Sequence, residues 1–290
     1  MIAIAARHII SLSKLRIVAL LVFTAGCGMW KAADGVPDGG AFFAVMTGGT
    51  LAAAGANAIN QGLDSDIDSK MLRTRTRVVP SKAVTKQAAI TIGTVMIAVA
   101  VVILGLLANW LAALLTLAAA VVYVFVYTIA LKRSSWNNIV IGGAAGAFPP
   151  LIGAAAVSGT VDAVGLYMFV FVFFWTPPHF WTLSILLRDE YTTAGIPMLA
   201  SVASTRETVV QILLYIVLLG ALSWLPLAAG FGGLAFAIVV TMLSAYWLWG
   251  SLPLLGGASR DKVFSAYRLS LAYLAMALLL FAVEPHLPWY

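Results

Sequence analysis

Apolar runs recur along the chain, interrupted by short polar clusters. A helix needs about 20 mostly apolar residues to cross the hydrocarbon core of a bilayer. Runs of that kind fall at roughly 16–33, 40–60, 87–107, 110–130, 138–157, 163–186, 208–228, 231–250 and 265–283. The pattern predicts an all-α, polytopic membrane helix bundle with about nine transmembrane helices, in one domain over residues 1–290. The first run is the weakest, with Lys31 close to one end, where its stem can snorkel.

The polar interruptions test this reading. With the N-terminus in the cytoplasm and the loops alternating, Arg7, Lys14, Arg16, the cluster from Lys70 to Lys86, Lys132, Arg133, Arg188, Arg206 and the basic residues from Arg260 to Arg268 all fall inside. Lys31 alone of the 17 basic residues falls outside. Such an excess of Lys and Arg marks cytoplasmic loops. The composition agrees: 62% of residues are hydrophobic and 10% charged, where a soluble domain carries about 25% charged residues. A net charge of +6 raises nucleic acid as a partner for a soluble protein, but here topology accounts for the basic residues, and no nucleic-acid partner is expected. Cys27 is the single cysteine, so neither an internal disulfide nor a multi-cysteine metal site is available. Neither a cleavable signal peptide nor an Arg/Ser-rich transit peptide is evident, which points to a prokaryotic plasma (inner) membrane.

The outer connections near Ala108–Asn109 and Ala229–Phe231 are tight, whereas the inner ones at 61–86 and 187–207 are long, charged and acid-bearing. Long loops in compact proteins are functional or disordered. In the first, Asn60, Asp64 and Asp68 recur at i, i+4 and i+8, which puts them on one face of a helix with a drift of about 40° per step, while Asp66 points away. Three oxygen-bearing side chains on one face suit Mg²⁺, which takes one or two carboxylates together with phosphate oxygens and water. Arg73, Arg75 and Arg77 follow closely, and acids for a metal beside arginines for phosphate suggest a metal–diphosphate site. The competing reading is a solvated loop of mixed charge; ionisable groups at the end of a membrane helix weigh against it.

A second acidic patch, Arg188-Asp189-Glu190-Tyr191, falls on the same membrane side, and two patches at one depth suit two metal ions on one diphosphate. Lys132 and Arg133, after Tyr127, are placed to neutralise a departing diphosphate, and both also serve as positive-inside anchors. His179 follows Pro177-Pro178 inside a span. A histidine beside freed carbonyls can ligate iron or move protons, although a satisfied structural histidine is the commoner case. Gly142-Gly143 through Pro149-Pro150 is a small-residue stretch suited to close helix packing.

These motifs together resemble the UbiA superfamily of intramembrane prenyltransferases. The resemblance rests on Asn60-xxx-Asp64-xxx-Asp68 with Met71-Leu72-Arg73-Thr74, on Tyr127 to Arg133, and on Asn138-Ile139-Val140-Ile141-Gly142-Gly143 to Pro149-Pro150. Pro178-His179-Phe180-Trp181 and Asp189-Glu190-Tyr191 to Ala194-Gly195-Ile196-Pro197-Met198-Leu199 point to its haem-farnesylating branch. It covers roughly residues 10–285. Two departures stand out: Lys14-Leu15-Arg16-Ile17 replaces the usual Lys-Pro-Arg-Ile, and Arg77-Val78-Val79-Pro80 replaces a common Arg-Pro.

The resemblance implies transfer of a farnesyl group from farnesyl diphosphate to a vinyl group of haem b at the cytoplasmic side of the membrane. It implies Mg²⁺ held by Asn60, Asp64 and Asp68 with Asp189 and Glu190 helping. Asn60, Arg73, Arg77, Tyr127, Lys132 and Arg133 would bind the diphosphate; Asp64, Asp68, Lys132 and Arg133 would be the catalytic set; His179 would contact haem. The product would pass to a downstream haem-modifying enzyme or a terminal oxidase assembly. The alternatives are a UbiA-type transferase with an aromatic, quinone-precursor acceptor, a transporter, and a non-catalytic haem carrier. A transporter is expected to place its site near mid-membrane, whereas the acids here cluster at one end.

Overall fold

The computed structural model describes residues 2–286, and all regular structure there is helical. An amphipathic helix α1 (Ile2–Ser13) leads into α2 (Leu15–Ala32) through Lys14, which adopts a left-handed conformation with φ 49°. There follow α3 (Gly39–Leu63), a single turn α4 (Ser65–Asp68), α5 (Lys86–Leu107) and α6 (Trp110–Val121), which continues as a π-helix over Val122–Leu131. Next come α7 (Asn138–Gly142), α8 (Ala144–Ser158), α9 (Ala163–Leu186), and the short α10 (Arg188–Ala194) and α11 (Leu199–Val202). The chain ends with α12 (Thr205–Leu222), α13 (Leu225–Ala228), α14 (Leu234–Ser251) and α15 (Arg260–Val283).

Nine segments among the described residues are long and apolar enough to cross a membrane, and they coincide with the nine apolar runs of the sequence. Their outward faces carry large apolar side chains such as Leu106, Leu114, Met242 and Trp249, as expected where lipid is the solvent. Polar caps fix the helix starts. Asp38, Asn109 and Asp162 each accept a backbone N–H from the first turn of the helix that follows, and Ser204 with Glu207 forms a reciprocal capping box. At the opposite end of the bundle from the acidic loops, the fully buried Glu284 carboxylate accepts the backbone N–H groups of Gly233 (2.9 Å) and Phe236 (2.7 Å) and so caps α14. Lys31 lies over the Phe281 ring, 4.5 Å from its centre, rather than simply reaching for the interface.

Glycines set the closest helix approach. A Cβ on Gly28 of α2 would stand 2.1 Å from the Pro150 carbonyl oxygen of α8, and one on Gly153 of α8 would stand 2.0 Å from the Ala25 carbonyl oxygen. Both α8 and α9 run unbroken through their proline pairs; the interruption falls between α7 and α8, at Gly143.

The two long loops are structured. Ile67, Met71, Ile139, Tyr191, Ile196 and Met198 form a small apolar core that ties the loop after α3 to α7 and α10–α11. These are the surfaces on which the polar residues of the site are mounted.

Candidate active site

The last turn of α3 and the turn of α4 carry Asn60, Asp64 and Asp68. The i→i+4 ladder survives the junction: the Asp64 amide donates to the Asn60 carbonyl at 2.9 Å, and the Asp68 amide to the Asp64 carbonyl at 2.8 Å. All three side chains therefore share one face, and all are buried, at 3%, 1% and 3% exposure. Asp66 points away and stands exposed. Burying carboxylates costs several kcal/mol per ion unless charge and hydrogen bonds compensate. Here Asp64 Oδ2 accepts from Asn60 Nδ2 (2.7 Å) and from Lys132 Nζ, and Asp68 Oδ2 accepts from Arg77 Nη1 (2.8 Å).

Lys132 arrives from the end of the π-helical segment. Its amide bonds the Tyr127 carbonyl (2.8 Å), five residues back, and the Thr128 hydroxyl bonds the Tyr123 carbonyl (2.8 Å) with the same spacing. Such wide turns are rare and recur at functional sites. Tyr123 and Tyr127 stack at 5.7 Å, and Gly142 lets the Tyr127 ring rest on the backbone of α7. Arg133 turns outward: its guanidinium grips Asp66 through two contacts of 2.8 Å and lies 3.8 Å from Asp64 Oδ1. That forked pair holds the Asp66 carboxyl down at about 2.

One participant escaped the sequence reading. Lys14 Nζ donates to Asn60 Oδ1 at 3.0 Å. The position was visible as part of Lys14-Leu15-Arg16-Ile17, but in sequence it is far from the acids. Lys14 is partly exposed, and its ammonium is packed among neighbours. That desolvation, with Arg77 and Lys132 nearby, pulls its ammonium down to about 7. Its placement depends on Gln61, which is fully buried and donates through Nε2 to the Leu12 (2.9 Å) and Ser11 (3.2 Å) carbonyls at the end of α1.

The second acidic patch sits differently. Glu190 Oε2 accepts the backbone N–H of Arg73 at 3.2 Å, joining the two long loops, and Asp189 is exposed in the first turn of α10. The Arg73 side chain is exposed and within electrostatic reach of Tyr127, Tyr191 and Tyr267. The five residues proposed for Mg²⁺ are thus not gathered into one cage: among the described residues, no three His, Cys, Asp or Glu side chains converge on a metal position. The donor set nevertheless suits Mg²⁺ shared with a diphosphate. Asp64 Oδ1 is buried and makes no hydrogen bond, which leaves a hard anionic oxygen available to a cation.

His179 lies on α9, buried at 8% exposure. Its ring is stacked between Trp175 (4.3 Å) and Tyr267 (4.8 Å), and its Nδ1 is 2.7 Å from Ser270 Oγ. An apolar cleft of about 880 Å³ opens between α2, α3 and α15, lined by Val18, Val22, Gly26, Met46 and Leu279 among others.

Among the described residues, buried carboxylates thus lie at one end of a bundle with nine segments able to span a membrane, with lysines and arginines around them. The model of the UbiA prenyltransferase family matches residues 20–283, and the chain belongs to that family. The chain is also similar to relatives named protoheme IX farnesyltransferase. One from Thermus thermophilus is 43% identical over 96% of this chain, and one from Cutibacterium acnes is 42% identical over 95%. The chain spans about half (46%) of the Thermus protein and 84% of the Cutibacterium one. The fold matches a UbiA homologue from Aeropyrum pernix K1, with a TM-score of 0.73 at 18% identity over 94% of this chain and 98% of that one. It also matches a UbiA homologue from Archaeoglobus fulgidus bound to DMAPP and Mg²⁺, with a TM-score of 0.68 at 15% identity over 93% and 98%.

Proposed function

We propose that this protein transfers the farnesyl group of farnesyl diphosphate to a vinyl carbon of haem b, at the cytoplasmic face of an inner membrane. The observation that carries the reading is the buried pair Asp64 and Asp68, held by Lys132, Asn60 and Arg77, with Asp64 Oδ1 making no hydrogen bond and only a longer ion-pair contact to Arg133. A carboxylate site so rich in cations accepts a polyanion in place of its internal pairs. The names of the relatives favour haem as acceptor, and the Mg²⁺ and prenyl diphosphate bound by the Archaeoglobus homologue favour the donor side.

Asp64 and Asp68, with Asn60, would hold Mg²⁺, which when bound supplies charge neutralisation for the departing diphosphate. Lys14, Lys132, Arg77 and Arg73 bind and orient the diphosphate and meet the negative charge that grows on it as the allylic C–O bond breaks. The vinyl carbon attacks the allylic carbon, and water then adds to the porphyrin side chain with loss of a proton. Tyr123, Tyr127 and the apolar bundle behind them exclude water from the allylic cation until the vinyl group reaches it. The cleft between α2, α3 and α15 offers room for an isoprenoid tail. The product would pass to a downstream haem-modifying enzyme or oxidase assembly.

The test is to incubate the purified protein in detergent with haem b, farnesyl diphosphate and Mg²⁺, following porphyrin mass and diphosphate release beside Asp64→Ala. Farnesylated haem formed by the wild type and lost in the variant is the expected result. Diphosphate release with an aromatic acceptor, and no porphyrin product, would overturn the haem assignment.

A further inference from the structure

Three side-chain contacts join the π-helical segment to α3, and their spacing differs on the two sides. Tyr123 Oη donates to Asn57 Oδ1 (3.3 Å), Asn60 Nδ2 donates to Thr128 Oγ1 (3.1 Å), and Lys132 Nζ donates to Asp64 Oδ2. On α3 the partners fall three and then four residues apart, the ordinary stagger of one helical face. On the facing segment they fall five and then four residues apart. At about 100° per residue, an α-helix would carry Thr128 about 140° round from Tyr123. The π winding closes its turn over five residues and so keeps Tyr123, Thr128 and Lys132 toward α3 together.

Thr128 is the point where that winding meets the polar cluster, and the direction of each hydrogen bond there is fixed. The Lys14 ammonium can only donate, so Asn60 turns Oδ1 to it. The two amide hydrogens of Asn60 then go to Asp64 Oδ2 (2.7 Å) and to Thr128 Oγ1. Thr128 Oγ1 accepts from Asn60, and its own hydrogen goes to the Tyr123 carbonyl, five residues back, at 2.8 Å. Thr128 is 1% exposed, so both bonds are made away from water. One hydroxyl thus ties the Asn60 amide to the wide backbone turn that carries Lys132.

We propose that Thr128 is a positioning residue for prenyl transfer: its hydroxyl locks the π-helical turn to Asn60 and so sets where the Lys132 ammonium meets the diphosphate. The inference rests on the prenyl-transfer reading above. Lys132 is paired with Asp64 in this structure and must exchange that partner for a phosphate oxygen when substrate arrives. A lysine stem is flexible, so the backbone it springs from has to be held if the ammonium is to reach the same oxygen each time. Without the Thr128 hydroxyl, Asn60 keeps Lys14 and Asp64, and the loss falls on the turn. Relaxation of that turn toward α-helical winding would swing Lys132 off the face that meets α3.

The test is calorimetric binding of farnesyl S-thiodiphosphate, a slowly reacting analogue, in the presence of Mg²⁺. Wild type is compared with Thr128→Val, which keeps the side-chain shape without the hydroxyl, with Thr128→Ser, which keeps the hydroxyl, with Lys132→Ala, and with the double variant Thr128→Val, Lys132→Ala. Thr128→Val should weaken binding about tenfold, the size of one charged contact partly lost, and Thr128→Ser should restore it. In the Lys132→Ala background Thr128→Val should add little, because its effect runs through the lysine. Size-exclusion profiles in detergent establish that each variant is folded; Thr128→Ala replaces Thr128→Val if the latter is not. Equal weakening in both backgrounds would overturn the proposal, since a general loosening of the bundle does not depend on Lys132. Unchanged binding in the folded variant without the hydroxyl would overturn it as well. No binding of the analogue by wild type would overturn the prenyl-transfer reading and this inference together.

Discussion

Lys14 Nζ donates to Asn60 Oδ1 at 3.0 Å, so a residue at the junction of α1 and α2 completes a polar cluster built on the end of α3. The Asn60 amide then passes the contact on, donating from Nδ2 to Asp64 (2.7 Å) and to Thr128 (3.1 Å). Lys14 can hold this place because its left-handed backbone turns the chain sharply, and because Gln61 pins the last carbonyls of α1.

A hydrogen bond to a charged group is worth about 1.5–3 kcal/mol, which is roughly 10–100-fold in binding. Lys14→Ala is expected to raise KM for the prenyl diphosphate within that range. Gln61→Leu should reproduce part of the effect by freeing α1, without touching a cation. Steady-state kinetics with varied donor check both; an unchanged KM in Lys14→Ala would remove Lys14 from the site.

Lys132 is the closest cation to a carboxylate that is 1% exposed. Removing one partner of a buried pair leaves the other uncompensated, at a cost of about 3–5 kcal/mol. Lys132→Ala should therefore lower the unfolding temperature in detergent, while Asp64→Asn in the same chain should recover most of the loss. Neither form should release diphosphate. Recovery of stability without activity separates the structural cost of the pair from its chemical use.

Much of this arrangement was legible in the sequence, for physical reasons. Lipid demands long apolar runs, so the nine spans could be read directly. The four-residue spacing put Asn60, Asp64 and Asp68 on one face because the helical ladder crosses the α3–α4 junction intact. Other features depend on contacts between distant segments, which one-dimensional spacing does not encode. Lys14 reaches Asn60 across 46 positions, and Ser270 reaches His179 across 91. The π-helical winding of Val122–Leu131 has no apolar period of its own, so that stretch reads as ordinary helix. The diversion of Arg133 to Asp66 reflects a competition between two carboxylates that only geometry decides.

The α2–α8 crossing gives a prediction about packing. A methyl group on Gly28 or Gly153 would sit about 2 Å from a carbonyl oxygen of the facing helix, closer than any real contact allows. Overpacking costs about 1–3 kcal/mol even where the neighbours can shift, and backbone shifts least. Gly28→Ala and Gly153→Ala should each lower the unfolding temperature in detergent, whereas Gly146→Ala, with open space around its Cβ, should leave it unchanged.

Glu190 invites a separation of two roles. Its Oε2 accepts the Arg73 amide at 3.2 Å, so it latches the loop after α4 to α10, whereas the sequence pattern nominates it for Mg²⁺. A latch needs only an acceptor oxygen, which glutamine keeps; a metal ligand needs the negative charge, which glutamine lacks. Glu190→Ala should speed tryptic cleavage in the segment from Lys70 to Lys82, and Glu190→Gln should restore protection. If Glu190 acts only as a latch, the half-saturating Mg²⁺ concentration of Glu190→Gln matches wild type. A several-fold rise in that concentration, with proteolysis still at the wild-type rate, would show that the carboxylate leaves Arg73 for the metal when substrate is bound. We expect the first outcome, because Asp64 Oδ1 makes no hydrogen bond while Glu190 is engaged.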